Sequence, residues 1–255
     1  MFKKILLSAI ICICLVLSPS LVRSEIVSRS MVYQINNQAF EGYVAQNRGF
    51  GNDQPVVILI HDWNGIDSYE KMRANMLSTQ GYTVLAIDLY GQGIRPQNTD
   101  QSRIESSKLY GDRSVMRQRI MAGIEQAKKL DGVNPEKIFA IGYCFGGASV
   151  LELARTGIEL DGIVSFHGSL NIPEGQSYDN LAAPLLILHG SADPVSPMSE
   201  VTAMVEALNE TQADFDLEIY GGVLHSFTNW NSDDYDPKAD LQSWSSMLEF
   251  FSDNL

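Results

Sequence analysis

A cysteine enclosed by glycines is the residue of this sequence best suited to chemistry. Cys144 lies in the segment IGYCFGG, with Gly142 two positions before it and Gly146 and Gly147 two and three positions after it. A nucleophile presented from a sheet sits on a tight turn between a strand and a helix, where larger side chains would collide with the adjoining backbone. We interpret Cys144 as such a nucleophile, with a helix beginning near Gly147 whose N-terminal amides favour the thiolate.

A cysteine nucleophile needs a histidine as base and an acid that orients the imidazole. The order nucleophile, acid, histidine selects Asp193, in HGSADPVSP, and His225, in GGVLHSFTN. His189 precedes the acid and His167 comes too early. Asp193 could otherwise be an ordinary turn residue. All four histidines follow apolar runs, and a hydrogen-bonded structural role is the alternative for each of His61, His167, His189 and His225.

Acyl chemistry also needs hydrogen-bond donors for a developing oxyanion. We expect one donor to be the backbone amide of Phe145, the residue after the nucleophile. The second should come from the loop HDWNG, where the amide of Trp63 is the best candidate. The Trp63 side chain could equally line a pocket or belong to the core.

These residues require a sheet whose strands end at one edge. The segments MVYQI and FEGYV predict an opening hairpin at the edge of the sheet. Six later runs are apolar on both faces, as in a parallel sheet covered by helices: PVVILIHD, YTVLAIDLY, KIFAIG, LDGIVSFHG, PLLILHG and FDLEIYGG. The predicted fold class is α/β, with a mostly parallel, doubly wound sheet flanked by helices.

Two predicted helices carry apolar stripes that we interpret as core surfaces. The helix in DRSVMRQRIMAGIEQAKKL follows the predicted helix DSYEKMRANMLSTQG, and its stripe comprises Met116, Ile120, Ile124 and Ala127. The closing helix has a stripe at spacings of 3, 4 and 3, made of Leu241, Trp244, Leu248 and Phe251.

The N-terminus is typical of a secretory signal peptide, comprising residues 1–24. MFKK is positively charged, ILLSAIICICLVLS is apolar, and PSLVRSE places small residues before a cleavage site after Ser24. A retained membrane anchor is the alternative, but the apolar run is shorter than the roughly 20 residues of a spanning helix. A lipid anchor on Cys12 or Cys14 lacks the small-residue box that its processing needs. We expect export to a periplasm or the exterior, and a single domain over residues 25–255.

Cleavage would change both the charge and the cysteine content. The full chain has a formal charge of −13; loss of Lys3, Lys4 and Arg23 leaves 15 basic against 31 acidic residues, a charge of −16. Nucleic acid and anionic membrane surfaces are therefore not expected partners. Cys144 would be the only cysteine, without a disulfide partner, and an unreactive buried thiol is the alternative to a nucleophile. No HExxH-type pair is present, so we expect no metal site. We also expect that the reaction needs no cofactor and that the protein is a monomer.

Four segments resemble the dienelactone hydrolase family of α/β-hydrolases: HDWNG, DLYG, GYCFGG, and HGSADPVSP followed by HSFTN. The resemblance spans roughly residues 55–230. It implies a triad of Cys144, Asp193 and His225 that hydrolyses a small ester or lactone through an acyl-cysteine. It also places Asp62 where the family has an acid that interacts with the resting cysteine, although the best-known members carry glutamate there. A structural aspartate capping the next helix is the alternative.

The sequence departs from the family at the positions that bind the substrate carboxylate. Asn229 replaces one of two arginines, and Arg95 lies a few places from the other. The resemblance therefore implies the reaction class and not the substrate. A thioesterase or peptidase with the same triad, and a hydrolase fold kept only as a binding module, remain alternatives.

Overall fold

An eight-stranded sheet forms the centre of the protein in a computed structural model that describes residues 25–255. Its spatial order is β1-β2-β4-β3-β5-β6-β7-β8. The strands are β1 Ile26–Ile35, β2 Gln38–Asn47, β3 Gln54–Ile60, β4 Thr83–Ile87, β5 Val133–Tyr143, β6 Gly162–Phe166, β7 Leu185–Gly190 and β8 Phe215–Tyr220. The predicted signal peptide, residues 1–24, lies outside the described residues.

Pairing within the sheet matches the predicted fold class. β1 and β2 form an antiparallel hairpin at one edge, and β2 continues antiparallel to β4. The pairs from β4 and β3 through to β7 and β8 are all parallel. The carboxyl ends of β5, β6, β7 and β8 therefore meet at one edge of the sheet, which is where an open α/β sheet forms its sites.

Helices cover both faces of the sheet. The helices are α1 Ser68–Ser78, α2 Thr99–Gly111, α3 Arg113–Ala127, α4 Phe145–Ala154, α5 Met198–Asn209 and α6 Pro237–Asp253. α1 and α6 pack on one face, where they meet alternate strand residues such as Val57 and Leu59. α2, α3, α4 and α5 pack on the other face against residues such as Ile58 and Ile60. The central strands β3, β4, β6 and β7 are thus apolar on both faces because each face meets helices.

The predicted stripe of α3 is confirmed, since Met116, Ile120, Ile124 and Ala127 are all buried. α4 begins at Phe145, two residues earlier than the predicted start near Gly147. No helix within residues 25–255 has the length and apolar character needed to cross a membrane.

The stripe predicted for α6 is wrong at Leu241, which is 68% exposed. The adjacent Asp240 is buried and forms an ion pair with Arg73 on α1. Successive residues of a helix are about 100° apart, so turning Asp240 inward leaves Leu241 facing outward. The rest of the predicted stripe does face the core: Phe251 is buried, and Trp244 and Leu248 pack partly buried beside Ser243, Met247 and Phe250.

Candidate active site

Cys144 lies on the tight turn between β5 and α4, and its backbone has φ 54° and ψ −111°. Positive φ is uncommon for a residue with a side chain and marks a constrained position. A Cβ on Gly142 would lie 2.0 Å from the carbonyl oxygen of Gly146. A Cβ on Gly146 would lie 2.2 Å from the carbonyl oxygen of Ile60, and one on Gly147 would lie 2.8 Å from Gly168. The glycines therefore permit the close backbone approach that exposes the cysteine.

The structure brings together the three residues selected from the sequence. Nε2 of His225 lies 3.1 Å from Sγ of Cys144. On the other side of the ring, Nδ1–H of His225 donates to Oδ2 of Asp193 over 2.7 Å. Asp193 follows β7 and His225 follows β8, so loops after adjacent strands hold the acid beside the imidazole. Such an arrangement can move a proton between sulfur and the ring.

Electrostatics at this site favour a charged imidazole. Burial lowers the pKa of His225, but hydrogen bonds with Asp193 and Cys144 outweigh it and raise the pKa to about 10. Burial raises the pKa of Asp193, but the hydrogen bond and charge of His225 and two backbone amides hold it below its usual value. Those amides belong to Val195 and Ser196, which donate to Oδ1 over 2.7 and 3.2 Å. Asp193 therefore remains an anion that orients His225.

His61 and His189 have structural hydrogen bonds away from the sulfur. Nε2 of His61 accepts from the Leu89 amide at 3.1 Å, and its Nδ1 lies 2.5 Å from the Asp62 carbonyl oxygen. His189 donates through Nε2 to the carbonyl oxygen of Ser196 at 2.9 Å. This bond supports the loop that carries Asp193. The structural alternative considered for each of these two histidines therefore describes their contacts.

Asp62 does not cap the next helix, because Asp67 is the N-cap residue of α1. Asp67 accepts from the amide of Tyr69, and the carboxylate oxygens of Glu70 accept from the amides of Asp62 and Asp67. The carboxylate of Asp62 instead accepts from the amide of Asn64 at 2.7 Å.

The carboxyl of Asp62 is buried close enough to His225 for the two charges to interact. Burial raises its pKa to about 7, while hydrogen bonds from Asn64 and the charge of His225 oppose the rise. The carboxyl of Asp62 therefore titrates near neutral pH. Within residues 25–255 no hydrogen bond joins the side chains of Asp62 and Cys144, so the role of Asp62 in ionising the thiol stays a prediction.

Trp63 and Phe145 flank Tyr90, which restrains both residues. The Tyr90 hydroxyl donates to the carbonyl oxygen of Trp63 at 3.0 Å. The Tyr90 and Phe145 rings pack with centroids 5.8 Å apart. Phe145 is the first residue of α4, where helix amides lack intrahelical acceptors. The two amides expected to stabilise an oxyanion are thus held on fixed segments, and their catalytic role stays a prediction.

The guanidinium of Arg95 forms hydrogen bonds and an ion pair with other residues of the protein. Its guanidinium donates to the carbonyl oxygens of Ile94 and Glu41 at 2.8 and 2.9 Å and forms a 3.4 Å ion pair with Asp88. Asn229 accepts from the amide of Asn231 through its side chain at 3.0 Å. The guanidinium of Arg95 is thus occupied by contacts within the protein, and Asn229 carries no positive charge that could bind a substrate carboxylate.

Sequence reasoning missed a group of buried polar residues beside the site. The hydroxyl of Thr228 lies 2.8 Å from Nε2 of His167 and 2.6 Å from the Tyr69 hydroxyl. Arg73 donates to the carbonyl oxygen of Thr228 at 2.8 Å. Thr228 lies in the segment HSFTN, in which the sequence analysis assigns a role only to the histidine. Its position three residues after His225 is the signal that could have found it.

Within residues 25–255, no group of three or more His, Cys, Asp or Glu side chains is arranged to hold a metal ion.

A family model and a curated relative both indicate the dienelactone hydrolase family. A model of the dienelactone hydrolase family matches residues 40–255. A protein of Aquifex aeolicus named "Putative carboxymethylenebutenolidase" is 25% identical over 225 residues, covering 86% of this chain and 95% of that protein.

Solved structures resemble the fold closely. A dienelactone hydrolase-like promiscuous phosphotriesterase, P91, from metagenomic libraries superposes with a TM-score of 0.84 at 29% identity, covering 89% of this chain and 98% of that one. An acylaminoacyl peptidase of Pyrococcus horikoshii has a TM-score of 0.72 at 17% identity, covering 90% of this chain and 42% of the peptidase. The second likeness shows the fold alone.

Proposed function

We propose, because the chain belongs to the dienelactone hydrolase family, that Cys144 is the nucleophile with which it hydrolyses an ester or lactone. Membership and the carboxymethylenebutenolidase relatives support the general activity, a hydrolase of ester or lactone bonds. The observation that carries the proposed mechanism is the continuous contact from Sγ of Cys144 through the His225 ring to Asp193.

In the first half of the proposed reaction, Sγ of Cys144 attacks the acyl carbon while its proton resides on Nε2 of His225. The carbon–oxygen bond of the ester breaks, and His225 gives that proton to the departing alkoxide. An acyl-cysteine remains. Asp193 stabilises the imidazolium and keeps Nε2 directed at the sulfur, since Nδ1–H is engaged by its carboxylate.

In the second half, a water molecule attacks the acyl-cysteine and passes a proton to His225. The carbon–sulfur bond breaks, the acid leaves, and the thiolate–imidazolium pair is restored. We assign the amides of Phe145 and Trp63 to the oxyanion in both halves. With a lactone, the released alkoxide stays tethered to the acyl group, so one molecule leaves as a hydroxy acid.

Two alternatives use the same residues differently. A thioesterase or a peptidase would share the triad, because the same three residues can cleave thioester and peptide bonds as well as esters. A binding module without catalysis would need an unreactive thiol, yet Cys144 is a partly exposed residue and its sulfur contacts an imidazole. The contact favours catalysis over the binding module, and substrate trials separate the acyl classes.

The test is hydrolysis of p-nitrophenyl acetate and butyrate under reducing conditions by the wild type, Cys144→Ala and Cys144→Ser. Activity should vanish in Cys144→Ala. Full activity in that variant would refute the cysteine mechanism. A panel of lactones, alkyl esters, thioesters and short peptides then identifies the acyl class, and preference for a thioester or peptide would replace the ester assignment.

We also propose that the protein is exported and cleaved after Ser24. The charged start, the apolar run and the small residues of the N-terminal segment support this proposal. Expression with the natural N-terminus, followed by N-terminal sequencing of the exported protein, should give Glu25 as the first residue. An uncleaved Met1 would refute it.

A further inference from the structure

One imidazole connects the two loops that hold the nucleophile and the base. Nδ1 of His167 lies 3.1 Å from the backbone nitrogen of Cys144, and Nε2 lies 2.8 Å from Oγ1 of Thr228. Cys144 carries the sulfur, and Thr228 stands three residues after His225 in the same loop. His167 itself follows β6, between the strands that precede the two loops.

These contacts define the protonation of the His167 ring. The Cys144 amide is a donor, so Nδ1 of His167 must be unprotonated to accept from it. The ring proton is then on Nε2 and is donated to the Thr228 hydroxyl. His167 is 2% exposed, and burial, helped by the charges of His225 and Arg73, holds its pKa well below the usual range. The ring therefore stays neutral beside a charged His225.

The Thr228 end of this connection is fixed from two further directions. Its hydroxyl contacts the Tyr69 hydroxyl at 2.6 Å, and its carbonyl oxygen accepts from Arg73 at 2.8 Å. Arg73 is buried and paired with Asp240 on α6. The loop that carries His225 is thus anchored to α1 and α6, and His167 transmits that anchorage to the Cys144 amide.

We propose that His167 is a positioning residue that sets the distance between the sulfur of Cys144 and the imidazole of His225. This inference rests on the proposed function, in which those two atoms exchange a proton. His167 acts through the Cys144 amide and the Thr228 hydroxyl, and it neither attacks nor protonates the substrate. The ring of His225 packs against it edge-on, with centroids 5.3 Å apart.

The backbone of Cys144 gives this role its physical basis. The residue has φ 54°, a conformation held in place by surrounding contacts. Its amide is shared between the Phe166 carbonyl oxygen at 3.0 Å and the His167 ring. Losing the link between the two loops would let them move separately, and displacements of about 1 Å between reacting groups can slow a reaction by about 100-fold.

The test breaks the link from both ends. Thr228→Val removes the hydroxyl with little change in shape, while Thr228→Ser keeps it and is the matched control. His167→Asn tolerates the observed φ of 40° and presents an amide oxygen near the Nδ1 position, but it is too short to reach Thr228. The readouts are the rate of Cys144 alkylation by iodoacetamide between pH 5 and 10, kcat/KM for p-nitrophenyl acetate, and the melting temperature.

Thr228→Val and His167→Asn should each slow alkylation at pH 7 by about 10- to 100-fold. Each should also raise the pH at which the alkylation rate reaches half of its maximum. The double variant should be no slower than either single variant, because both break one link. Thr228→Ser should stay within about threefold of the wild type. Lower melting temperatures without a change in the alkylation profile would overturn the positioning role, as would wild-type rates in both single variants.

The two proposals fail differently. If Cys144→Ala still hydrolyses the ester, the proposed function is wrong, and the positioning role falls with it. If Cys144→Ala is inactive and wild-type Cys144 is rapidly alkylated, but the Thr228 and His167 variants match the wild type, only the positioning role is wrong.

Discussion

Replacing Asp193 by asparagine changes one atom at the centre of the proposed mechanism. Oδ2 of Asp193 accepts a hydrogen bond from Nδ1 of His225 at 2.7 Å. In Asp193→Asn, the amide oxygen can still accept from the Val195 and Ser196 amides, which occupy Oδ1 in the wild type. The amide nitrogen then faces the ring as a donor. The ring proton of His225 must then lie on Nε2 rather than on Nδ1. A protonated Nε2 cannot accept the proton of Cys144.

The expected loss follows from the charge of the imidazole. The rise in the pKa of His225 from 6.5 to about 10 corresponds to about 5 kcal/mol of preference for the charged ring. Asp193 and Cys144 together cause that preference, and the hydrogen bond with Asp193 is the largest favourable cause, so its loss should cost roughly 2 to 3 kcal/mol, or about 30- to 150-fold in rate. The tautomer change adds to this loss, which can reach about 10⁴-fold in such triads. We expect kcat/KM to fall by at least about 30-fold.

The assay compares initial rates with p-nitrophenyl acetate, from pH 6 to 10, for wild type, Asp193→Asn and Glu200→Gln. Glu200 is the matched control, since it accepts from the Ser196 hydroxyl at 2.7 Å in the same region. Glu200→Gln should remain within about threefold of wild type. A loss of less than threefold in Asp193→Asn would refute the assignment of Asp193, and equal losses in both variants would indicate a general disturbance of the loop.

Gly146→Ala should destabilise the protein by about 3 kcal/mol in urea unfolding, because its Cβ would meet the Ile60 carbonyl oxygen at 2.2 Å. Gly221→Ala, with no atom within 4 Å, should change stability by less than about 0.5 kcal/mol, and similar effects at both sites would contradict the close approach. The free energy of unfolding should also decline as the pH rises from 7 to 10, by up to about 1.4 kcal/mol per pH unit. The reason is that the folded pKa of His225 is raised from 6.5 to about 10, so its contribution is complete below pH 6.5 and is lost on approaching pH 10. Urea titrations at each pH should show a shallower decline in His225→Gln, and an unchanged slope would contradict this.

Much of the fold could be predicted because its signals are local. Apolar runs such as PVVILIHD become β3 because both faces of a parallel sheet need apolar side chains. The orientation of α6 could not be predicted in the same way. Its spacing placed Leu241 in the core, but the ion pair between Asp240 and Arg73 joins residues 167 positions apart, and no local pattern reports it.

In the candidate site, too, features with a local sequence signal could be predicted and features that depend on distant contacts could not. Glycine spacing and chain order were enough to select Cys144, Asp193 and His225, whose side chains the structure places in contact. The helix cap was harder, since Asp62 and Asp67 both precede α1 and only one of them reaches its amides. His167 was set aside for its place in the order, and its contact with the Cys144 amide depends on a turn that the sequence does not specify.

The ion pair between Arg73 and Asp240 also has a consequence for how the protein folds during synthesis. The first α-helix supplies Arg73 and the last supplies Asp240, so the anchorage of the His225 loop needs residues that are far apart in the chain. Contacts so distant in sequence form late, because closing a long loop costs entropy before any contact repays it. During synthesis, the sulfur of Cys144 emerges about a hundred residues before Asp240. A nascent chain would therefore contain the Cys144 thiol well before the loop that carries His225 could be anchored.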